Sequence, residues 1–460
     1  MSRALFLRYI TQNIAGKIGL SCYILVDTWF VSLALGTNGL AALNLAITVF
    51  SIISGAGQLL GVGGGTDFAL RRAEGKDARH SLSTALIIGG VLAILFAGTG
   101  LFLCEPLTRF LGADEATFSL TKTYVRMTLL FAPVYMLNSI LQGFVRNDGS
   151  PNLAMISMLL SSGLNIALDY LFMFPLKLGM FGAVLATGLS ALLSTPVLLS
   201  HFAKRRPVAA PTSEILYNLK FFCARSKNSC AISYTTKKRC TLLPLRTPHT
   251  LCDALKMLSY GLSALIGELA SAVSLLTFNL LLMRLSGAVG VAAYGGIANA
   301  ALVATAIFTG LGQGIQPLAS QEFGMHDQSG MKRLLGYIRN TVTILSITIF
   351  AAVFLGAQPI AGAFNHAQDM LLQTTAQTGL RVYFAGYLFA GVNIAACAFL
   401  SAVNQPRRAL IISLLRSCVL LIPAALVLSQ ALKTTGVWLA FVITEAVCCV
   451  ISLISMKKAA

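Results

Sequence analysis

Apolar stretches of membrane-spanning length recur along this chain near residues 8–33, 40–66, 82–104, 121–144, 153–174 and 180–202. After a polar interval they resume near 259–283, 291–318, 336–358, 378–402, 409–429 and 434–455. A helix needs about 20 apolar residues to cross the hydrocarbon core of a bilayer. Lipid offers no hydrogen-bond partner to the backbone, so each run is expected to satisfy its own as a helix. The pattern predicts an all-α, polytopic membrane protein of about twelve helices in two six-helix lobes. The boundaries expected are 1–203 for the first lobe, 204–258 for a linker and 259–460 for the second lobe.

Composition sharpens this picture. The chain is 56% hydrophobic and 11% charged, against about 25% charged in a soluble domain. Its 40 glycines suit helices that pack closely in lipid. A formal charge of +18 would suggest nucleic acid in a soluble protein. Here the basic residues cluster in loops, which is a topology signal, and no nucleic-acid partner is expected. Alternate loops carry Arg71, Arg72, Lys76 and Arg79, then Arg146, then the linker, then Lys332 and Arg333, then Arg407 and Arg408. With Arg3, Arg8, Lys457 and Lys458 at the ends, this bias places both termini in the cytoplasm of a multi-pass inner-membrane protein. The first run has no small-residue cleavage site and reads as a retained helix.

The linker begins Lys204-Arg205-Arg206-Pro207, and its eleven Lys/Arg face only Glu214 and Asp253. A solvated loop drawn to anionic headgroups is the reading its composition favours. The ten cysteines show no metal spacing. Those in or beside apolar runs read as small hydrophobes, and Cys223, Cys230, Cys240 and Cys252 as free thiols. Pro133 and Pro423 are expected to kink their helices.

The halves repeat. Gly39-Leu40-Ala41-Ala42 returns as Gly290-Val291-Ala292-Ala293, and Gly61-Val62-Gly63 as Gly312-Gln313-Gly314, each 251 residues on. With small gaps Arg126 matches Arg381, Pro151 matches Pro406 and Gly182 matches Gly436. Six helices per unit inserts both units the same way up, with a pseudo-two-fold along the membrane normal. Two like bundles face to face is a transporter architecture.

Within these runs a few polar residues call for an explanation. Asn165 and Asp169 are four apart and so share a helix face. A carboxylate at membrane depth costs about 2.5–3.5 kcal/mol on insertion scales, so Asp169 must face protein, water or a cation. Asp27 is a second lone acid, in the first run. Lys17 and Glu268 are related by the same repeat offset and carry opposite charges. They are candidates for a gate ion pair, or for two separately solvated groups in a cleft. Glu445, Asn279 and Asn393 are further gate or cavity candidates, with helix packing an equal reading for the asparagines.

Several stretches resemble the MATE family of multidrug and toxin extrusion transporters, and most of all its MepA-like bacterial branch. They are Tyr23-Ile24-Leu25-Val26-Asp27-Thr28-Trp29-Phe30-Val31-Ser32, Arg146-Asn147-Asp148-Gly149-Ser150-Pro151, Asn165-Ile166-Ala167-Leu168-Asp169, Gly179-Met180-Phe181-Gly182-Ala183 and Gly314-Ile315-Gln316-Pro317-Leu318. The resemblance covers nearly the whole chain except the linker. It implies cation-coupled export by alternating access, with Asp27, Asn165, Asp169 and Thr187 as the cation site. Two carboxylates, an amide and a hydroxyl are hard oxygen ligands suited to Na⁺, and the same acids could carry H⁺. Against each role stands a local one: interhelical bonding for the asparagine, and a bond to its own backbone for the threonine.

The reading is a cation-coupled antiporter, monomeric, moving small amphipathic organic compounds across the bilayer. No enzyme activity and no cofactor beyond a coupling Na⁺ or H⁺ is expected, with no metal beyond Na⁺ at that site. The alternatives are a lipid-linked precursor flippase of the same superfamily and a non-transporting receptor or scaffold.

Overall fold

The computed structural model describes residues 2–203, 251–365 and 369–459. Most of the expected linker, with Cys223, Cys230 and Cys240, lies outside the described residues. The first lobe runs α1 (Arg3–Gly36), α2 (Asn38–Ala73), α3 (Arg79–Phe102), the short α4 (Cys104–Phe110), α5 (Glu115–Leu130), α6 (Ala132–Asn147), α7 (Pro151–Met173) and α8 (Gly179–Ala203). The second runs α9 (Leu251–Gly287), α10 (Val289–Gly324), α11 (Gln328–Leu355), the short α12 (Ala357–Phe364), α13 (Met370–Ala385), α14 (Tyr387–Ala402) and α15 (Pro406–Leu414). A π-helical turn, Leu415–Val419, leads into α16 (Leu421–Ala459). No strand occurs among the described residues.

Nine continuous stretches and two bent pairs among the described residues are long and apolar enough to cross a membrane. One of the nine, Pro406–Ala459, has 54 residues and breaks at Lys433 (φ 51, ψ −131), so it makes two passes. That brings the crossings to the expected twelve. The fourth and tenth are not single straight helices. The pair α5 and α6 is bent by 50° and the pair α13 and α14 by 44°. Pro133, in the first turn of α6, has no N–H to carry the ladder across the first bend. Phe131 caps α6 at that bend, and Gly386 caps α14 at the matching bend of the second lobe.

The repeat is written into the backbone. Gly36 (φ 64, ψ −152) and Gly287 (φ 59, ψ −148) occupy equivalent positions and make the tight connections α1–α2 and α9–α10. Lys177 (φ 50) and Lys433 (φ 51) share another unusual conformation at the last connection of each lobe. Each lobe has its own apolar core, and the two cores exchange helix ends. Phe6, Tyr9 and Ile10 of α1 are buried in the second core, and Met257 of α9 in the first. Met257 is the counterpart of Phe6 at the repeat offset, so the exchange obeys the repeat. It also accounts for the helix already formed at Leu251, ahead of the expected span. Asp253 and Lys256 interrupt the apolar run, but Ala254 and Met257 beside them are buried.

Glycines permit this crossing. A Cβ on Gly261 would collide with the Leu59 carbonyl, and one on Gly310 would come 2.7 Å from Cα of Ile14. Across the same seam Gln316 donates to the Val62 carbonyl at 2.9 Å and Arg71 to Asp253 at 2.8 Å. The lobes therefore meet along the ends of α1, α2, α9 and α10 that lie on the amino-terminal side.

Gly36 and Gly287 sit in a region of φ/ψ space that is essentially glycine-only, where another residue costs on the order of 1–3 kcal/mol. Space is not limiting, because an added Cβ meets nothing within 4 Å at either. Gly36→Ala and Gly287→Ala should each lower thermal stability in detergent, by strain alone. Gly98→Ala, equally open but in ordinary helix, should not. Equal melting of all three would refute the strain.

Candidate cation site and its counterpart in the second lobe

Asp27 of α1, Asn165 and Asp169 of α7 and Thr187 of α8 converge inside the first lobe. Their exposures are 7%, 1%, 0% and 7%. The Thr187 hydroxyl donates to the Ala183 carbonyl one turn back, at 3.1 Å, which turns its lone pairs toward α7. Asn165 Nδ2 donates to that oxygen at 3.2 Å. Thr187 thus plays the local role open to a membrane threonine and the cross-helix role together. With its N–H committed, Asn165 is left with a buried Oδ1 that accepts nothing. Asp27 Oδ1 and both carboxylate oxygens of Asp169 are also buried without a hydrogen-bond partner.

Four buried acceptor oxygens thus lie on these neighbouring residues, and no described residue donates to any of them. The two carboxylates act electrostatically on one another. Burying such charges without compensation costs several kcal/mol each. The all-oxygen donor set is of the kind that suits a proton or a hard cation. No cluster of three His, Cys, Asp or Glu able to hold a metal occurs among the described residues.

Three phenols lie within electrostatic reach of the acids and were missed by the sequence reading. The fields of Asp27 and Asp169 reach Tyr23, Tyr124 and Tyr135, and Tyr135 Oη is buried without a partner. Tyr23 is one turn before Asp27, so helical spacing alone could have found it. Tyr124 and Tyr135 lie on either side of the α5–α6 bend, and only the bend brings both to the pocket.

A profile of the MatE family matches residues 14–171 and 264–427, one block in each lobe. The chain belongs to the MatE family. Among curated proteins it is similar to Multidrug export protein MepA of Staphylococcus saprophyticus, 26% identical over 429 residues, covering 93% of this chain and 87% of the relative. MepA of Staphylococcus aureus strain MSSA476 is 28% identical over 434 residues, with the same coverage. Among solved structures, a MATE protein in complex with MaL6 superposes with a TM-score of 0.86 at 21% identity, covering 99% of this chain and 95% of that one. An outward-facing multidrug resistance MATE transporter of the MOP superfamily gives the same values.

In this MatE protein the remaining candidates do not join the acid pocket. Asn279 is half-buried on α9. Glu268 acts electrostatically on Lys17. Of the two readings offered for them, a direct ion pair does not occur among the described residues. Glu268 instead accepts a hydrogen bond from Gln58 of α2. The amide competes because Gly55, one turn before it on the seam, lets α2 lie against Leu265 and Glu268 of α9.

Glu445 faces neither a cavity nor a boundary. It is 2% exposed. Arg416 donates to its Oε1 from Nε at 3.1 Å and from Nη2 at 2.7 Å. Asn393 Nδ2 donates to its Oε2 at 2.6 Å and to its backbone carbonyl at 2.9 Å. Ser452 closes the network by donating to Asn393 Oδ1 at 2.7 Å. The first lobe has the same framework without the charges: Asn138, the counterpart of Asn393, donates to the Ala191 carbonyl at 3.2 Å. Arg416 was missed because it sits in the π-helical turn, whose extra residue per turn shifts its direction from a regular helix.

Removing one partner of a buried pair leaves an uncompensated charge and costs about 3–5 kcal/mol. Arg416→Met should therefore destabilise the protein strongly, and adding Glu445→Gln should restore much of the loss. Thermal unfolding of single and double variants measures this coupling. Strictly additive effects would show that the pair is energetically irrelevant.

Proposed function

We propose that this protein is a cation-coupled antiporter that exports amphipathic, drug-like organic compounds by alternating access. The observation that carries the reading is the pocket of four buried, donor-less oxygens in a MatE chain whose curated relatives bear the name multidrug export protein. Asp27, Asn165, Asp169 and Thr187 hold the coupling ion, Na⁺ or H⁺. Two buried acids acting on one another are costly to keep charged and uncompensated, so the pocket loads and unloads a positive charge in each cycle. Loading can drive a conformational change only if the ion binds the two access states with different affinity.

The lobes meet at the end bearing the amino terminus. With both termini in the cytoplasm, as the loop charges favour, that seam is the cytoplasmic gate. The Gln58–Glu268 bond crosses the seam and must break when the cytoplasmic side opens. Lys17 stands beside it. The Arg416–Glu445–Asn393 network braces the second lobe, whereas the first carries the ion chemistry.

Efflux from proteoliposomes, with Na⁺ and pH gradients imposed separately, tests the reading and identifies the ion. One gradient should drive efflux in the wild type. Asp27→Asn and Asp169→Asn should fall to the background of empty vesicles while inserting and folding normally. Wild-type efflux by both variants at equal incorporation would remove the site from the mechanism.

A further inference from the structure

A basic cleft lies at the carboxy-terminal corner of the second lobe, apart from the acid pocket. Arg408, Ile411 and Ile412 share one face of α15 at i, i+3 and i+4. Ile451, Ile454, Ser455 and Lys458 share one face of α16 at i, i+3, i+4 and i+7. The two faces line a single cleft of about 170 Å³, more than ten times the roughly 10–15 Å³ that one water needs. No carboxylate is among the residues lining it. Arg408 is half-buried, and its Nη1 is shut from solvent with no acceptor among the described residues. Ile412 is buried, whereas Ile411 and Ile454 are 53% and 51% exposed.

Nothing at this corner offsets the positive charge. Arg407 and Arg408 fall in the first turn of α15, which carries no acid and no side-chain cap. A helix N-terminus is itself partly positive and favours anions, so the two arginines add to its charge. Lys457 and Lys458 lie in the last turn of α16. The first lobe is built differently. Gly149 (φ 89) and Asn404 (φ 58) share a left-handed conformation two residues before Pro151 and Pro406, which fixes the register of the repeat here. In that register Asp148 corresponds to Val403. Asp148 accepts a hydrogen bond from Arg72 and lies 2.8 Å from Nε2 of His201, in the last turn of α8. Val403 is buried and apolar, so the second lobe has no acid where the first places one among its basic groups.

An arginine keeps its proton in a protein, and its planar fork matches a phosphate. Basic pockets between transmembrane helices are places where anionic lipid headgroups bind. We propose that this cleft binds an anionic phospholipid, of the phosphatidylglycerol kind. Arg408, Lys458 and the Ser455 hydroxyl donate to its phosphate, and an acyl chain lies along Ile411 and Ile454. Those two isoleucines belong to a membrane-spanning stretch, Pro406–Ala459. Their exposed apolar surface favours a lipid over a free phosphate ion, which would leave it uncovered. A lipid seated there ties the start of α15 to the end of α16. The site is in the second lobe, and it stands whether or not the acid pocket of the first couples a cation to transport.

The test uses the purified full chain in detergent, titrated with phosphatidylglycerol, with phosphatidylcholine of the same chains, or with glycerol 1-phosphate. Thermal melting and native mass spectrometry read the binding. A ligand that binds only the folded state at a hundredfold excess over Kd raises the folded-to-unfolded ratio by about a hundredfold. Phosphatidylglycerol should raise the melting temperature in a saturable way and stay bound in the spectrometer, and the other two should do neither. Arg408→Gln combined with Lys458→Gln should weaken that binding on the order of tenfold or more, the worth of one charged hydrogen bond. Arg407→Gln combined with Lys457→Gln removes the same charge from exposed positions outside the cleft, and should leave the binding unchanged. Wild-type protein indifferent to the headgroup, equal stabilisation by glycerol 1-phosphate, binding undiminished in the cleft variant, or equal loss in both double variants would overturn the proposal. Should the Arg408 variant fail to fold, Lys458→Gln set against Lys457→Gln decides it.

Discussion

Close backbone contact across the lobe seam is the constraint on which the rest of this structure depends. The starts of α1 and α9 each leave their own lobe and pack in the other, and only residues without a side chain let the backbones approach so far. In lipid there is no hydrophobic gain from bringing two apolar helices together, so association rests on packing and on interhelical hydrogen bonds. The seam uses both. Gly63 and Gly261 pack against one another, Gly310 and Gly314 pack against α1, and Gln316 reaches the α2 backbone. A seam built from small residues and a few polar contacts can close tightly without being held by a large apolar surface.

The lobes share a fold and divide the electrostatics. The position matching Asp27 at the repeat offset is Phe278, fully buried among apolar residues of the second core. Both lobes keep the amide link from α6 to α8 and from α14 to α16, through Asn138 and Asn393. The second lobe places Glu445 at that link and neutralises it with Arg416, so its charge is spent internally. In the first lobe Asp27 and Asp169 have no basic partner among the described residues. The unneutralised buried acids of this fold are therefore in one half.

The α1–α2 and α9–α10 connections show how much geometry a single residue fixes. The backbone conformation shared by Gly36 and Gly287 is closed to residues bearing a Cβ, and glycine opens it without any insertion of loop. A second pairing of positions recurs at Lys177 and Lys433, which both take positive φ despite a side chain.

Much of this was legible in the sequence, because membrane insertion is a local rule. Hydrocarbon thickness sets run length, backbone satisfaction sets helix, and a repeat at constant offset sets two like lobes. The i, i+4 spacing of Asn165 and Asp169 put both on one face of α7 with no knowledge of neighbours. What joins α7 to Asp27 and Thr187 is tertiary, since three helices far apart in sequence must pack with those faces inward. Pro133 marked the bend at Phe131, but nothing comparable marked the one at Gly386. The size of a bend is decided by which neighbours replace the lost backbone bonds. The partners of the remaining charges were equally out of reach. Glu268 and Lys17 looked like a pair by symmetry, yet a neutral amide from a third helix took the carboxylate. Glu445 looked solitary, yet a π-turn arginine was waiting for it. Charge and depth are properties of a residue and its own helix, and can be read along the chain. Compensation is a property of distance between helices, and only the packed structure decides it.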